Sequence, residues 1–172
     1  MLDKSVINKK LNVLDKNLVL LYELKELSFD QLSDSLKEQW AVFYGLQISI
    51  QAAIDIGSNI LAALKENQIE EYSDIIFKLA KRKIIPQDYA KKIKGMPGLR
   101  NLLVHEYGII DIGIIYDVLQ NNLGDFEEFQ AYIRKYINSK DRISQSEELF
   151  QGGPSLTKAL LTERKKDKNI GK

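Results

Sequence analysis

The sequence contains a single histidine, His105, and the residues around it combine a proton-transfer group with a phosphate ligand. Arg100 precedes it by five positions, Asn101 follows the arginine, and Tyr107 lies two positions beyond the histidine. Histidine exchanges protons near neutral pH, and the planar fork of arginine fits a phosphate group. These residue types predict cleavage of RNA phosphodiesters. The ribose 2′-hydroxyl is then the nucleophile, so the reaction requires neither a metal nor a cofactor.

The spacing of Arg100 and His105 limits how one chain can use them. At about 100° per residue on a helix, the two side chains point roughly 140° apart. In-line cleavage is also best served by an acid and a base on opposite sides of the phosphorus, and the chain has one histidine. A symmetric dimer would supply two. The enzyme interpretation therefore predicts a homodimer with the site in a cleft at its interface; otherwise the histidine is structural.

The segment that leads into the motif is strongly basic, although the whole chain has a net charge of only +1. Between residues 78 and 100 there is one acid, Asp88, and there are eight basic residues: Lys78, Lys81, Arg82, Lys83, Lys91, Lys92, Lys94 and Arg100. A local excess of positive charge attracts a polyanion. Lys91, Lys92 and Lys94 are accordingly predicted to bind RNA; the alternative is that they only solvate helix faces.

Composition excludes several other chemistries. The chain has no cysteine, which removes disulfides, thiol catalysis and thiolate metal sites, and one histidine cannot complete a typical zinc site. No glycine-rich phosphate loop is present. No apolar run reaches the ~20 residues of a membrane span, and the N-terminus does not resemble a signal peptide. We therefore expect a cytoplasmic protein without a metal or cofactor.

Apolar periodicity predicts an all-α bundle. One stripe at helical spacing consists of Ile7, Leu11, Leu14, Leu18 and Leu21. Residues 28–33 are expected to break the chain before a second long helix at about residues 34–64. The residues that recur on one side of it are Leu36, Trp40, Phe43, Ile50, Ile54, Leu61 and Leu64. Trp40 is expected in the core or at the dimer interface. Gly57 within that helix indicates close packing or a bend.

The chain is expected to divide into a helical bundle domain, residues 1–137, and a C-terminal tail, residues 138–172. The tail is polar and basic, and Gln151, Gly152, Gly153 and Pro154 interrupt it. Residues 156–167 are able to form one short amphipathic helix, which is too small to fold alone. The tail is therefore either partly disordered or a short docking helix.

The motif, set in an all-α chain of this size, resembles the HEPN superfamily and in particular the HepT-like toxins of HepT–MntA toxin–antitoxin systems. The hallmark of these toxins is arginine, four residues, histidine, one residue, tyrosine. Residues 38–41, 47–60 and 74–85 also resemble the family's central and third helices. The resemblance covers about residues 1–137. It implies a HEPN-type bundle of four main helices plus short ones.

The resemblance also implies an activity and a partner. The chain would be a metal-independent endoribonuclease toxin with Arg100 and His105 catalytic across a dimer, and Asn101 would occupy the polar position beside the arginine. An MntA-like nucleotidyltransferase antitoxin would neutralise it by AMPylating Tyr107, which adds bulk and negative charge beside Arg100. Alternatively, Tyr107 caps the cleft through a hydrogen bond.

Two points stay open on the sequence alone. Glu38 and Asp55, on the second long helix, either face the cleft and support His105 and Arg100 or are ordinary solvent-facing charges. The alternative function is a non-catalytic helical partner or substrate subunit of a nucleotidyltransferase, in which Arg100 and His105 bind nucleotide or phosphate.

Overall fold

The computed structural model of the chain describes residues 2–66, 69–105 and 110–152, with side chains up to residue 142. These ranges contain helices and no strand, which confirms the all-α prediction. Three helices have 21 residues or more and five have ten or fewer. The helices are α1 (Lys4–Leu24), α2 (Phe29–Asp34), α3 (Leu36–Ala63), α4 (Tyr72–Lys81), α5 (Gln87–Ile93), α6 (Met96–His105), α7 (Ile112–Asn121) and α8 (Leu123–Gly152).

Helix α1 packs along α3, and this pair forms the main body of the core. All five residues of the predicted α1 stripe, from Ile7 to Leu21, are buried. Asp3 caps the helix by accepting hydrogen bonds from the backbone N–H groups of Ser5 and Val6. The periodicity therefore predicted the buried face of α1 correctly.

Residues 28–33 were expected to be a non-helical break between the two long helices. This is wrong, because Ser28 caps the short helix α2 and the residues after it belong to that helix. Its start is a capping box, in which the Ser28 hydroxyl accepts from the Gln31 N–H and the Gln31 side chain accepts from the Ser28 N–H. Six residues are too few to show an apolar repeat. The capping residues were the only local sign of this helix.

The long helix α3 occurs where it was predicted, but its buried stripe begins at Val42. Leu36 and Trp40 belong to the apolar side predicted for this helix, and both are 69% exposed, so Trp40 is not in the core of the single chain. Gly57 confirms the close packing expected there, since a Cβ at this position would lie 2.5 Å from Ile75 Cγ2 of α4. Glycine thus lets α4 approach the backbone of α3.

Helices α7 and α8 complete the part of the chain that the structure describes. Asp111 caps α7 by accepting from the Gly113 N–H. Helix α8 contains the first part of the predicted tail, up to Gly152, and the chain divides into two compact units at Arg134 and Lys135. None of the helices in the described ranges has the length and apolar character that a membrane crossing requires.

Candidate active site

Helix α6 carries the first two members of the motif. It runs from Met96 to His105, is anchored by the buried side chains of Pro97 and Leu103, and includes Arg100 near its middle. Five residues of helix separate Arg100 from His105 by about 7.5 Å along the axis and by roughly 140° around it. Arg100 is half-buried, whereas His105 is exposed as the last residue of the helix.

The Arg100 guanidinium is held by three neighbours. Its Nε donates a hydrogen bond to Gln51 Oε1 of α3 at 3.0 Å, and a terminal nitrogen donates to Asn101 Oδ1 at 3.3 Å. The guanidinium carbon also lies 5.6 Å from the centre of the Tyr72 ring, at the start of α4, which is a cation–π distance. Residues from α3, α4 and α6 therefore fix the arginine.

A hydrogen-bond relay continues from Gln51 to α1. Gln51 Nε2 donates to Asp55 Oδ1 at 2.7 Å, one helical turn further along α3. The other oxygen of that carboxylate pairs with Lys10 Nζ at 2.5 Å. Asp55, one of the two acids considered as a support for Arg100, thus contacts Gln51 and not the guanidinium itself. Neither Gln51 nor Lys10 was predicted.

None of the groups in this relay pairs a negative charge directly with Arg100. Its two hydrogen-bond partners, Gln51 and Asn101, are neutral amides. The one carboxylate of the relay, Asp55, is separated from Arg100 by Gln51 and is paired with Lys10. Among the residues that the structure describes, Arg100 forms no ion pair. Since charge-assisted bonds are the strong ones, its guanidinium is suited to bind a phosphate.

His105 lies in a different setting at the end of α6. Its side chain is exposed, and no hydrogen bond to the imidazole is present within the described ranges. Tyr107, the third member of the motif, lies outside the described residues. The structure therefore brings Arg100 and Asn101 together, and it leaves His105 directed to the surface.

Glu38 is not near this cluster within one chain. It lies in the first turn of α3, where its backbone N–H donates to Ser35 Oγ. Thirteen residues separate it from Gln51, or about 20 Å of helix. Of the two acids considered on α3, only Asp55 is linked to Arg100, and the link runs through Gln51.

The basic segment is less available than its sequence indicates. Lys92 forms ion pairs with Asp125 at 2.6 Å and with Glu128 at 3.2 Å, and these carboxylates of α8 raise its pKa. Arg82 is paired with Glu66, and Lys91 lies 3.9 Å from Asp88. The acids that pair with Lys92 come more than 30 positions later in the chain, so the local charge count missed them.

Lys94 lines a cavity of about 560 Å³ beside Arg100. The cavity lies between the start of α4 and the start of α6, and its wall includes Glu70, Glu71, Tyr72, Lys94, Pro97 and Asn101. Two of these residues, Tyr72 and Asn101, also contact the Arg100 guanidinium. The cavity is therefore continuous with the motif.

In the described part of the chain, no three histidine or acidic side chains are grouped as a metal site.

The fold and the site define a helical bundle with an arginine and a histidine on one helix, and similarity to known proteins identifies its family. The profile of the family described as ribonuclease HepT-like matches residues 14–133. The tRNA nuclease HepT of Aphanizomenon flos-aquae is 32% identical over 134 residues, which cover 78% of this chain and 88% of that protein. The chain belongs to the HepT-like ribonuclease family, which confirms the resemblance and the enzyme class.

Other relatives agree with this assignment. The mRNA nuclease HepT of Shewanella oneidensis is 32% identical over 60% of this chain and 78% of its own length. A solved structure of a tri-AMPylated Shewanella oneidensis HEPN toxin in complex with MNT antitoxin superposes with a TM-score of 0.70. It is 27% identical and covers 76% of this chain and 97% of the solved one. A toxin–antitoxin complex with AMP-PNP gives 0.71 at 26% identity, over 76% of this chain and 98% of that one.

Proposed function

We propose that this protein is the toxin of a toxin–antitoxin pair and a metal-independent endoribonuclease in which Arg100 and His105 are the catalytic residues. The observation that carries the proposal is the setting of Arg100. Neutral amides hold its guanidinium, and His105 is exposed on the same helix. The family, and relatives that are described as tRNA and mRNA nucleases, support the same activity.

The reaction proceeds without a protein nucleophile. The ribose 2′-oxygen attacks the phosphorus while its proton passes to a general base, and the bond from phosphorus to the 5′-oxygen breaks. A general acid protonates that leaving oxygen. The products are a 2′,3′-cyclic phosphate and a free 5′-hydroxyl. Arg100 offsets the negative charge that develops on the phosphate oxygens, and His105 is the proton-transfer group.

The proposal requires a homodimer. One histidine cannot lie on both sides of the phosphorus, and Arg100 and His105 diverge on α6 by roughly 140°. Two copies related by a twofold axis would place two histidines and two arginines around one cleft. Asn101 and Asp55 support the arginine in each copy, and Lys91 and Lys94 contribute positive charge for RNA beyond the cleft. Lys92 adds less, because it is already paired.

The proposed partner is an MntA-like nucleotidyltransferase that AMPylates Tyr107. The solved relative is a tri-AMPylated toxin in complex with its antitoxin, and Tyr107 lies at the tyrosine position of the motif. An added AMP carries negative charge, which would oppose phosphate binding at Arg100.

We also place the protein in the cytoplasm, since the structurally similar YutE of Bacillus subtilis is described as cytosolic.

The experiment that tests the function is cleavage of total cellular RNA by the purified protein in EDTA. Arg100→Ala and His105→Ala are compared with Arg142→Ala, which removes an exposed arginine of α8. We expect the wild type and Arg142→Ala to cut, both motif variants to fail, and treatment with the nucleotidyltransferase and ATP to stop cutting. If nothing is cut, the protein is instead a non-catalytic nucleotidyltransferase partner. If His105→Ala cuts as well as the wild type, the assignment of His105 as a catalytic residue is wrong.

A further inference from the structure

The cavity beside Arg100 has no role in the proton transfers, yet it opens next to the phosphate ligand. Its volume of about 560 Å³ lies within the range of small-molecule sites. The phenol ring of Tyr72, which is 40% exposed, forms part of its wall and lies under the Arg100 guanidinium. A group in this cavity would therefore be next to a phosphate that Arg100 holds.

The charges of the cavity disfavour a second phosphate. Among the described residues that line it, Glu70 and Glu71 are acidic and Lys94 is the one cation. Asp74 holds the backbone at both glutamates, because its Oδ2 accepts from the N–H groups of Glu70 at 3.0 Å and Glu71 at 3.2 Å. The same hydrogen bonds lower the pKa of Asp74. Glu71 Oε2 already accepts a hydrogen bond from the Ser73 hydroxyl at 3.2 Å. A carboxylate has about four acceptor positions, so both glutamates still accept hydrogen bonds from a neutral ligand, whereas they repel phosphate oxygens.

An aromatic ring, an amide and two carboxylates are the groups that proteins use to recognise an unpaired base. Aromatic rings stack on bases, and polar side chains read the base edges. Carboxylates accept from exocyclic amino groups such as N4 of cytosine. Asn101 adds a further polar group between the cavity and Arg100.

We propose that this cavity is a nucleobase subsite for the nucleotide next to the scissile phosphate. The subsite prefers bases with an exocyclic amino group over uracil. Tyr72 provides the apolar surface, Glu70 and Glu71 select the amino group, and Arg100 holds the adjoining phosphate. The inference rests on the proposed function, because it takes Arg100 as the phosphate ligand, and it adds a base preference that the mechanism alone does not require.

The test measures binding rather than cleavage, so that it is independent of catalysis. In the His105→Ala background, the dissociation constants for short oligocytidylate, oligoadenylate and oligouridylate are compared by fluorescence anisotropy. We expect cytidylate and adenylate to bind about tenfold more tightly than uridylate, which corresponds to ~1.4 kcal/mol. Replacing both glutamates, by Glu70→Gln and Glu71→Gln, should remove this preference. The matched control, Glu26→Gln, removes an exposed acid of the α1–α2 loop and should keep it.

Tyr72→Phe and Tyr72→Ala separate stacking from general damage. We expect Tyr72→Phe to bind like the parent and Tyr72→Ala to bind all three oligonucleotides about tenfold more weakly, because a stacked base contributes ~1–3 kcal/mol. Equal affinity for cytidylate and uridylate in the parent, or a preference that survives the double glutamine variant, would overturn the subsite. If the preference holds but the wild type does not cleave RNA, the proposed function fails, and the cavity stands as a base-binding site beside a phosphate bound by Arg100.

Discussion

Arg100 and His105 belong to one ten-residue helix, and their surroundings are opposite. Arg100 is half-buried and is held by Gln51, Asn101 and Tyr72, with Asp55 and Lys10 behind them. His105 is exposed at the end of α6, and no described side chain hydrogen-bonds it. Folding of a single chain is therefore enough to aim the arginine, whereas none of the described side chains hydrogen-bonds the histidine.

This difference fits the separate tasks proposed for the two residues. A group that stabilises transition-state charge works best when its position is fixed before the reaction, because no reorganisation is then needed. A proton-transfer group must reach two different oxygen atoms of the substrate, and in the proposed homodimer two copies of it would converge from two chains. The predictions below test each half of this comparison, beginning with the histidine.

His105→Ala should produce the largest effect. General acid–base catalysis contributes typically 10²–10⁴-fold, so we expect the cleavage rate to fall by at least about 100-fold. Because the side chain is exposed, the free energy of unfolding should change by less than about 0.5 kcal/mol. Rates on a defined RNA and urea denaturation measure the two quantities. A large loss of stability would mean that His105 is a structural residue.

Mixed dimers sharpen the same point. A wild-type chain and a differently tagged His105→Ala chain are coexpressed, and the mixed species is purified through both tags. If one cleft needs a histidine from each chain, the mixed dimer should retain far less than half of the wild-type activity. Half the activity would instead indicate two independent sites, each complete with a single histidine. The same purification with two wild-type chains is the control.

Gln51→Glu tests the other half of the comparison, the neutral setting of Arg100. A carboxylate 3.0 Å from Arg100 Nε would form a charge-assisted bond and withdraw the guanidinium from phosphate. We expect RNA binding to weaken about tenfold, or ~1.4 kcal/mol. Gln51→Leu removes the acceptor but adds no charge, so it should lower kcat more than it raises KM. Gln87→Glu makes the same charge change at an exposed position of α5, and it should alter neither RNA binding nor the kinetic constants kcat and KM.

If Gln51→Glu binds RNA as tightly as the wild type, the neutrality of the relay is without consequence. Gln51 would then serve only to pack α3 against α6. Kd from anisotropy and kcat and KM from steady-state cleavage decide between these outcomes. Circular dichroism shows whether each variant remains folded.

The contacts that hold Arg100 can be predicted from the sequence only where they join residues close together in the chain. Gln51 and Asp55 are one turn apart, and such a pair on a helix is visible in the sequence. The face of α3 that meets Arg100 is not visible, because 49 positions separate Gln51 from Arg100 along the chain. The same limit applies to Lys92, whose partners lie on α8. The stripe of α1, which depends only on local spacing, was predicted in full.

Periodicity also identifies a face without saying what covers it. Leu36 and Trp40 continue the apolar spacing of α3, and yet they are exposed. Gly57 is the opposite case, because glycine in a long helix indicates close approach whatever the partner is. The partner in this structure is α4, the helix that begins with Tyr72.

Gly57→Ala tests how far the arginine depends on that packing. The added Cβ would lie 2.5 Å from Ile75 Cγ2 and 3.1 Å from Leu79 Cδ1, so α4 must shift. Overpacking of this kind costs typically ~1–3 kcal/mol, which we expect as a loss in the free energy of unfolding by urea. Gly124→Ala in α8, where a Cβ meets nothing within 4 Å, is the matched control and should be neutral or slightly stabilising. Equal behaviour of the two variants would show that α4 adjusts freely.

Substitutions of Lys94 and Lys92, two positions apart, should give the smallest effects. The two effects should differ in kind, since one concerns RNA binding and the other stability. Lys94 lies at the cavity beside the motif, so Lys94→Ala should weaken RNA binding a few-fold and reduce the slope of log Kd against log salt by about one. Lys92→Ala should leave that slope unchanged, because Lys92 is paired with Asp125 and Glu128. It should instead lower the free energy of unfolding, since the buried Asp125 loses its cation.

The pH dependence of Lys92→Ala gives a second check. The two carboxylates raise the pKa of Lys92 in the folded state, so its stabilising contribution is complete below the ordinary lysine pKa of about 10.4. That contribution is lost as the pH rises through the higher folded value. The stability difference between wild type and Lys92→Ala should therefore be constant at neutral pH and shrink only in the alkaline range. A changed salt slope for Lys92→Ala would instead mean that RNA displaces the two carboxylates, and that the pairing within the chain does not prevent Lys92 from binding RNA.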